Sequence, residues 1–161
     1  MTISSTERKI RSSLRVIRVM QSAFPPNVAN RFNKMGVSRV RLDSDITQES
    51  ILADGVPCDW IIPPDHNPEK VLLYLHGGGF VFGQTPLHLQ MGGYLARRLG
   101  FRLLMVDYRT APDHPFPAAL DDCVTAYQWL LHQDISSHNL ILAGDSAGGN
   151  LTLATMLKLR E

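Results

Sequence analysis

Three short apolar runs, VLLYLH at 71–76, RLLMVDY at 102–108 and NLILAG at 139–144, are separated by two stretches of helical character near 86–99 and 117–132. Runs of this length that are apolar at nearly every position suit strands covered on both faces. A helix of about 12 to 16 residues between successive runs is the crossover that a parallel pair needs. The expected fold class is therefore α/β, a mostly parallel sheet with helices on both faces. Further strands are expected at 38–42 and 56–62. With 161 residues, 44% of them hydrophobic, the chain has material for one core.

The charge is unevenly placed. Residues 1–41 hold nine Lys or Arg against Glu7 alone, and the remaining 120 hold seven against fourteen acids. Within the basic part, Ile10, Leu14, Ile17 and Met20 recur at helical spacing, with Arg8, Arg11, Arg15 and Arg18 largely on other faces. This reads as an amphipathic helix, ended by Phe24-Pro25-Pro26 and laid over the body of the protein. Two segments follow: a basic N-terminal helical segment at 1–37 and a core at 38–161. A net charge of +1 gives no reason to expect a nucleic-acid partner. No run is long enough to be inserted stably in a membrane, and the start lacks the apolar core of a secretory signal. Cys58 and Cys123 show no metal or disulfide spacing, and a reducing, cytoplasmic location is expected.

Two motifs carry chemistry, each where a strand hands over to the next segment. Gly144-Asp145-Ser146-Ala147-Gly148 places glycines two before and two after a serine. That allows a tight, strained strand-to-helix turn which lifts the hydroxyl clear of the sheet, with helix N–H groups pointing at the same spot. Such a pattern arises by chance in a chain this long at roughly the 5% level. The second, His76-Gly77-Gly78-Gly79-Phe80, arises at roughly the 0.1% level. Successive glycines let the backbone approach a substrate and turn its N–H groups toward a developing oxyanion. Seventy residues apart and in this order, the two point to acyl transfer.

Together HGGGFVFG, DYRTAPDHPFPAALDD and GDSAGGN resemble the signature segments of the hormone-sensitive-lipase-like branch of the α/β-hydrolases, over about residues 55–160. The resemblance implies a serine esterase acting through an acyl-enzyme on small or short-acyl esters, with no metal and no cofactor. Ser146 would be the nucleophile. The amides of Gly78, Gly79 and Ala147 would form the oxyanion hole, supported by His76, Gly77 and Asp145. Tyr108 to Asp122 would be structural, and the basic N-terminal segment would correspond to the family's helical cap.

In that family an aspartate and then a histidine follow the nucleophile, and neither residue type occurs after Ser146 here. The resemblance therefore implies an α/β-hydrolase core truncated after the nucleophile helix, associating through an exposed sheet edge. Among the histidines present, His138 lies at the far end of the strand that leads to Ser146, about 26 Å away at roughly 3.3 Å per residue. His132 and His66 belong to the same far face. His76, His88 and His114 follow strand ends, His76 as a buried support for the glycine loop and the other two as loop or helix-start residues. Two other readings use the same residues: a non-catalytic ligand-binding form of the fold, and a dinucleotide site built on Gly77, Gly79, Gly83 and Asp107.

Overall fold

The computed structural model describes residues 42–161. The amphipathic stretch at 10–20 and the cap at 1–37 lie outside the described residues, as does the strand expected at 38–42 except for Leu42, which is not in a strand. The elements are β1 (Thr47–Ala53), β2 (Val56–Ile62), β3 (Asn67–Leu75), α1 (Pro86–Leu99), β4 (Phe101–Val106), α2 (Ala118–His132), β5 (Leu140–Gly144) and α3 (Ala147–Lys158). They form one five-stranded sheet in the order β1-β2-β4-β3-β5. Strands β4, β3 and β5 run parallel, while β2 is antiparallel to both β1 and β4, so the sheet is mixed with a parallel centre.

Strand β1 was not among the expected strands. Its TQES opening is polar because it is an edge strand, exposed at its first four positions. The signal that betrays it is Asp54-Gly55, at φ 48° and 90°. Two consecutive positive-φ residues make the tight turn that joins antiparallel strands, and Asp-Gly is a preferred pair for it.

Alternation sorts the central side chains to two cores. Val71, Leu73 and Leu75 of β3 and Leu104 and Val106 of β4 pack with Cys123, Ala126 and Leu130 of α2 and Leu151 of α3. Leu72, Tyr74, Leu103 and Met105 pack on the opposite face with Ile61 and Ala96 of α1. Helices thus cover both faces, as the uninterrupted apolar runs require. Helix α1 opens with Pro86 at its first position and closes on Gly100 in the left-handed conformation at φ 65°, the usual stop for a helix.

Among the described residues β5 is the edge strand opposite β1, paired only with β3. Ile141 on it is 46% exposed, and on the following helix Leu153 and Leu157 are each 64% exposed.

Candidate active site

Strand β5 ends at Gly144 and α3 begins at Ala147, so the chain reverses within two residues. Ser146 sits at φ 51°, ψ −117°, a backbone conformation rare for any residue with a side chain, and it is exposed. The flanking glycines are required by contact with β3. A Cβ on Gly144 would lie 2.5 Å from the Leu75 carbonyl oxygen, and one on Gly148 would overlap that oxygen. Behind the serine, the Gly148 N–H donates to the Asp145 carbonyl at 2.8 Å and the Asn150 N–H to the Ser146 carbonyl at 3.3 Å. The Ala147 N–H, in the first turn of α3, has no helical carbonyl four residues back to bond.

The glycine loop leaves β3 at His76. Gly78, Gly79 and Phe80 take φ values of 141°, 61° and 62°, and the Gly78 carbonyl closes a turn by accepting from the N–H groups of Val81 and Phe82 at 3.1 and 2.9 Å. Among the described residues the Gly78 and Gly79 N–H groups donate to no protein acceptor. The loop is tied to the serine turn: the Gly77 N–H donates to Asp145 Oδ1 at 2.8 Å, and the Tyr74 hydroxyl donates to the same oxygen at 3.1 Å.

His76 is fully buried between the rings of Tyr108, at 4.3 Å, and His88, at 5.1 Å. Its Nδ1 lies 2.8 Å from the Gly77 carbonyl, so that nitrogen carries the proton, and Nε2 is left without a hydrogen bond 3.8 Å from Asp107 Oδ1. Burial pushes the ring below the usual imidazole range, and His88 is lowered for the same reason. Both rings are neutral at neutral pH. The Tyr108 hydroxyl donates to the His76 carbonyl at 2.6 Å, and the Ala111 N–H donates to the Phe80 carbonyl at 2.8 Å. The 108–122 segment therefore braces the loop from outside. Asp122, itself buried, accepts from the Arg109 N–H and guanidinium at 2.7 to 3.0 Å.

Among the described residues no hydrogen bond links any of the six histidines to Ser146. His66 Nδ1 faces the Pro63 carbonyl, His76 and His88 are committed to the stack, and His138 lies at the opposite end of β5. His88 Nδ1 accepts from the Thr85 N–H at 3.0 Å, a helix-start role. The dinucleotide pattern does not form its site: Gly83 is followed by loop, α1 starts only at Pro86, and Asp107 accepts from the Gln84 N–H. No cluster of three or more potential metal ligands occurs among the described residues. No helix there is long and apolar enough to cross a membrane.

A cavity of about 330 Å³ opens beside the turn, walled by Phe80 of the glycine loop, Asn150 and Ala154 of α3, and Phe116 and Leu120. Sequence reasoning missed the Tyr74 hydroxyl and this cavity. Tyr74 looks like one more buried strand residue, and nothing nearby in sequence links it to Asp145, 71 residues away.

The sequence profile of a family described as alpha/beta hydrolase fold matches residues 72–161. An acetyl-hydrolase of Streptomyces hygroscopicus is 36% identical over 132 residues, covering 75% of this chain and 44% of that protein. An ethyl acetate hydrolase of Pseudomonas putida is 41% identical over 121 residues, covering 71% of this chain and 37% of that protein. Among solved structures, an esterase of the bacterial hormone-sensitive lipase family superposes with a TM-score of 0.81 at 40% identity, over 91% of this chain and 51% of that one. The chain spans less than half the length of these two relatives and about half of that structure.

Proposed function

The chain belongs to the α/β-hydrolase fold family, and on that premise we propose that it supplies the nucleophile and oxyanion hole of a serine carboxylester hydrolase acting on small or short-acyl esters. One observation carries the reading. A strained, exposed serine lies at the head of a helix, and beside it a glycine loop with two N–H groups that are uncommitted among the described residues is fastened to the serine's own turn through Asp145. Ser146 Oγ attacks the ester carbonyl, and the oxyanion forms against the amides of Gly78, Gly79 and Ala147. The alcohol leaves, and water then releases the acid from the acyl-serine. His76, Gly77 and Asp145 support this arrangement without touching the reacting atoms.

Ser146 needs a base to take its proton, and among the described residues no histidine is hydrogen-bonded to it, although His114 lines the neighbouring cavity. We assign the base and its orienting acid to the half of the fold that the longer relatives possess, which would also pair with the open edge of β5. Without that half, the apolar edge favours association with another strand. The short-acyl preference is supported by the ester that the Pseudomonas putida relative is named for.

The test is labelling of the full-length active protein with a fluorophosphonate probe, alongside hydrolysis of p-nitrophenyl acetate. Both are expected in the parent and neither in Ser146→Ala. Turnover retained by Ser146→Ala removes the serine from the mechanism, and a well-folded parent that neither labels nor hydrolyses favours the non-catalytic reading.

A further inference from the structure

The residue just before the nucleophile makes the side-chain link between the two halves of the hole. Asp145 Oδ1 accepts both the Gly77 N–H and the Tyr74 hydroxyl. The second oxygen closes over Gly77 so tightly that a Cβ on that glycine would coincide with the carboxylate. Gly77 thus packs against both oxygens of this one carboxylate, one of which accepts its N–H. Through the Gly77 N–H the carboxylate fixes the His76–Gly77 peptide, one residue ahead of the peptide that carries the Gly78 N–H. Tyr74 completes the clamp from below. Burial, together with the neighbouring carboxylate, pushes its phenol well above the usual range, so it stays protonated and remains a donor.

An anionic side chain is an odd choice beside a site built for an oxyanion, because its charge opposes the charge that develops there. Its value must lie in what its oxygens hold. We propose that Asp145 is a positioning residue for the oxyanion hole. By fixing the His76–Gly77 peptide relative to the turn that carries Ser146 and Ala147, it sets the Gly78 and Gly79 N–H groups, in the loop after β3, and the Ala147 N–H, from α3, on a common point. The inference rests on the acyl-transfer reading above and adds to it a residue that acts without contact with substrate.

The alternatives to positioning are a direct effect of the charge and a purely structural role, and three variants separate them. Asp145→Asn keeps an oxygen where Oδ1 lies and removes the charge. Asp145→Ala removes the acceptor as well, and Tyr74→Phe removes one of its two donors. In the full-length active protein, kcat and KM for p-nitrophenyl acetate, the rate of fluorophosphonate labelling at Ser146 and the unfolding midpoint are measured for each.

Asparagine is expected within about threefold of the parent in kcat and labelling rate. Alanine is expected to lose about 10- to 100-fold in both, below the full loss of an oxyanion donor because the amides remain but wander. Its KM should change by less than about threefold. Tyr74→Phe should fall between the two. Alanine and asparagine slowed equally would show that the charge matters and overturn the proposal, as would alanine equal to the parent. A loss in alanine that tracks only its unfolding midpoint would leave a structural role alone and overturn it too. Should alanine fail to fold, asparagine decides: a kcat lowered more than about 30-fold at an unchanged midpoint refutes positioning. A parent not labelled at Ser146 overturns the acyl-transfer reading and this one together, whereas a labelled parent matched by alanine overturns this one alone.

Discussion

Gly148 and Gly149 are neighbours in the first turn of α3, and the same substitution should be costly at the first and nearly neutral at the second. A Cβ on Gly148 would meet the Leu75 carbonyl oxygen at an impossible 1.8 Å, with the Leu75 carbonyl carbon at 2.6 Å and the His76 oxygen at 2.7 Å. A carbon and a carbonyl oxygen rest no closer than about 3.3 Å, so the head of α3 would have to back away from β3 by about 1.5 Å. The obstructing atoms are backbone, so no rotamer change relieves them. The movement would also strain the 2.8 Å bond between Gly77 and Asp145. Overpacking usually costs 1–3 kcal/mol, and this case belongs at or above the top, about 3 kcal/mol. For a chain of this size that lowers the unfolding midpoint by about 6–12 °C. At Gly149 the nearest atom to an added Cβ is the Gly144 oxygen at 3.3 Å, a tight contact that asks the backbone there to give by a few tenths of an ångström. Replacing glycine by alanine inside a helix gains roughly 0.5–1 kcal/mol, which offsets the slight crowding. Gly149→Ala should therefore unfold within about 2 °C of the parent, roughly 0.5 kcal/mol at this chain length. Thermal melts followed by circular dichroism make the comparison. Equal midpoints for the two variants would refute the claim that the α3 head and β3 touch backbone to backbone.

Three further outcomes follow from the same geometry. Ser146 occupies a conformation that suits glycine, so Ser146→Gly should be more stable than Ser146→Ala by about 1–3 kcal/mol, with both inactive; equal stability would mean that the turn is unstrained. The proposed role of the glycine loop is best probed at Gly79, where an added Cβ meets nothing within 4 Å, whereas one on Gly78 would strike the Phe82 carbonyl and damage the loop itself. Gly79→Ala, with φ at 61°, should cost about 1 kcal/mol of stability yet lower kcat at least tenfold, and an unchanged kcat would remove Gly79 from the hole. His76 and His88 both bind protons less readily folded than unfolded, because burial disfavours their charged forms. They affect stability little above the ordinary imidazole value of about 6.5, and stability is lost as pH falls below it, by at most about 1.4 kcal/mol per pH unit for each ring. Unfolding midpoints should be flat above pH 7 and fall toward pH 5, less steeply in His88→Gln; a flat profile down to pH 5 would contradict the buried stack.

What the sequence determined by itself is the part whose physics is local. Apolar runs of strand length between helical stretches leave few folds other than a covered parallel sheet, and β3, α1, β4, α2 and β5 lie where those runs place them. Glycines at fixed offsets around Ser146 dictate a tight turn because the steric demand is met within five residues. Asp54-Gly55 was equally local and equally legible, and it marks the hairpin that the polar opening of β1 conceals. The tertiary structure alone decided what meets across the sheet. Side-by-side pairing of β3 and β5 sets Leu75 against Gly144 and thereby brings Asp145 to Gly77, 68 residues away. The same pairing decides that Tyr74 reaches that carboxylate, and the β3–β4 register that His76 lies on Tyr108. Such contacts leave no trace in spacing, because a strand's pattern reports which face is buried but not which strand lies beside it. The order β4-β3-β5 is fixed only when the crossover helices pack, and that packing assembles the loop, the clamp and the serine into one site.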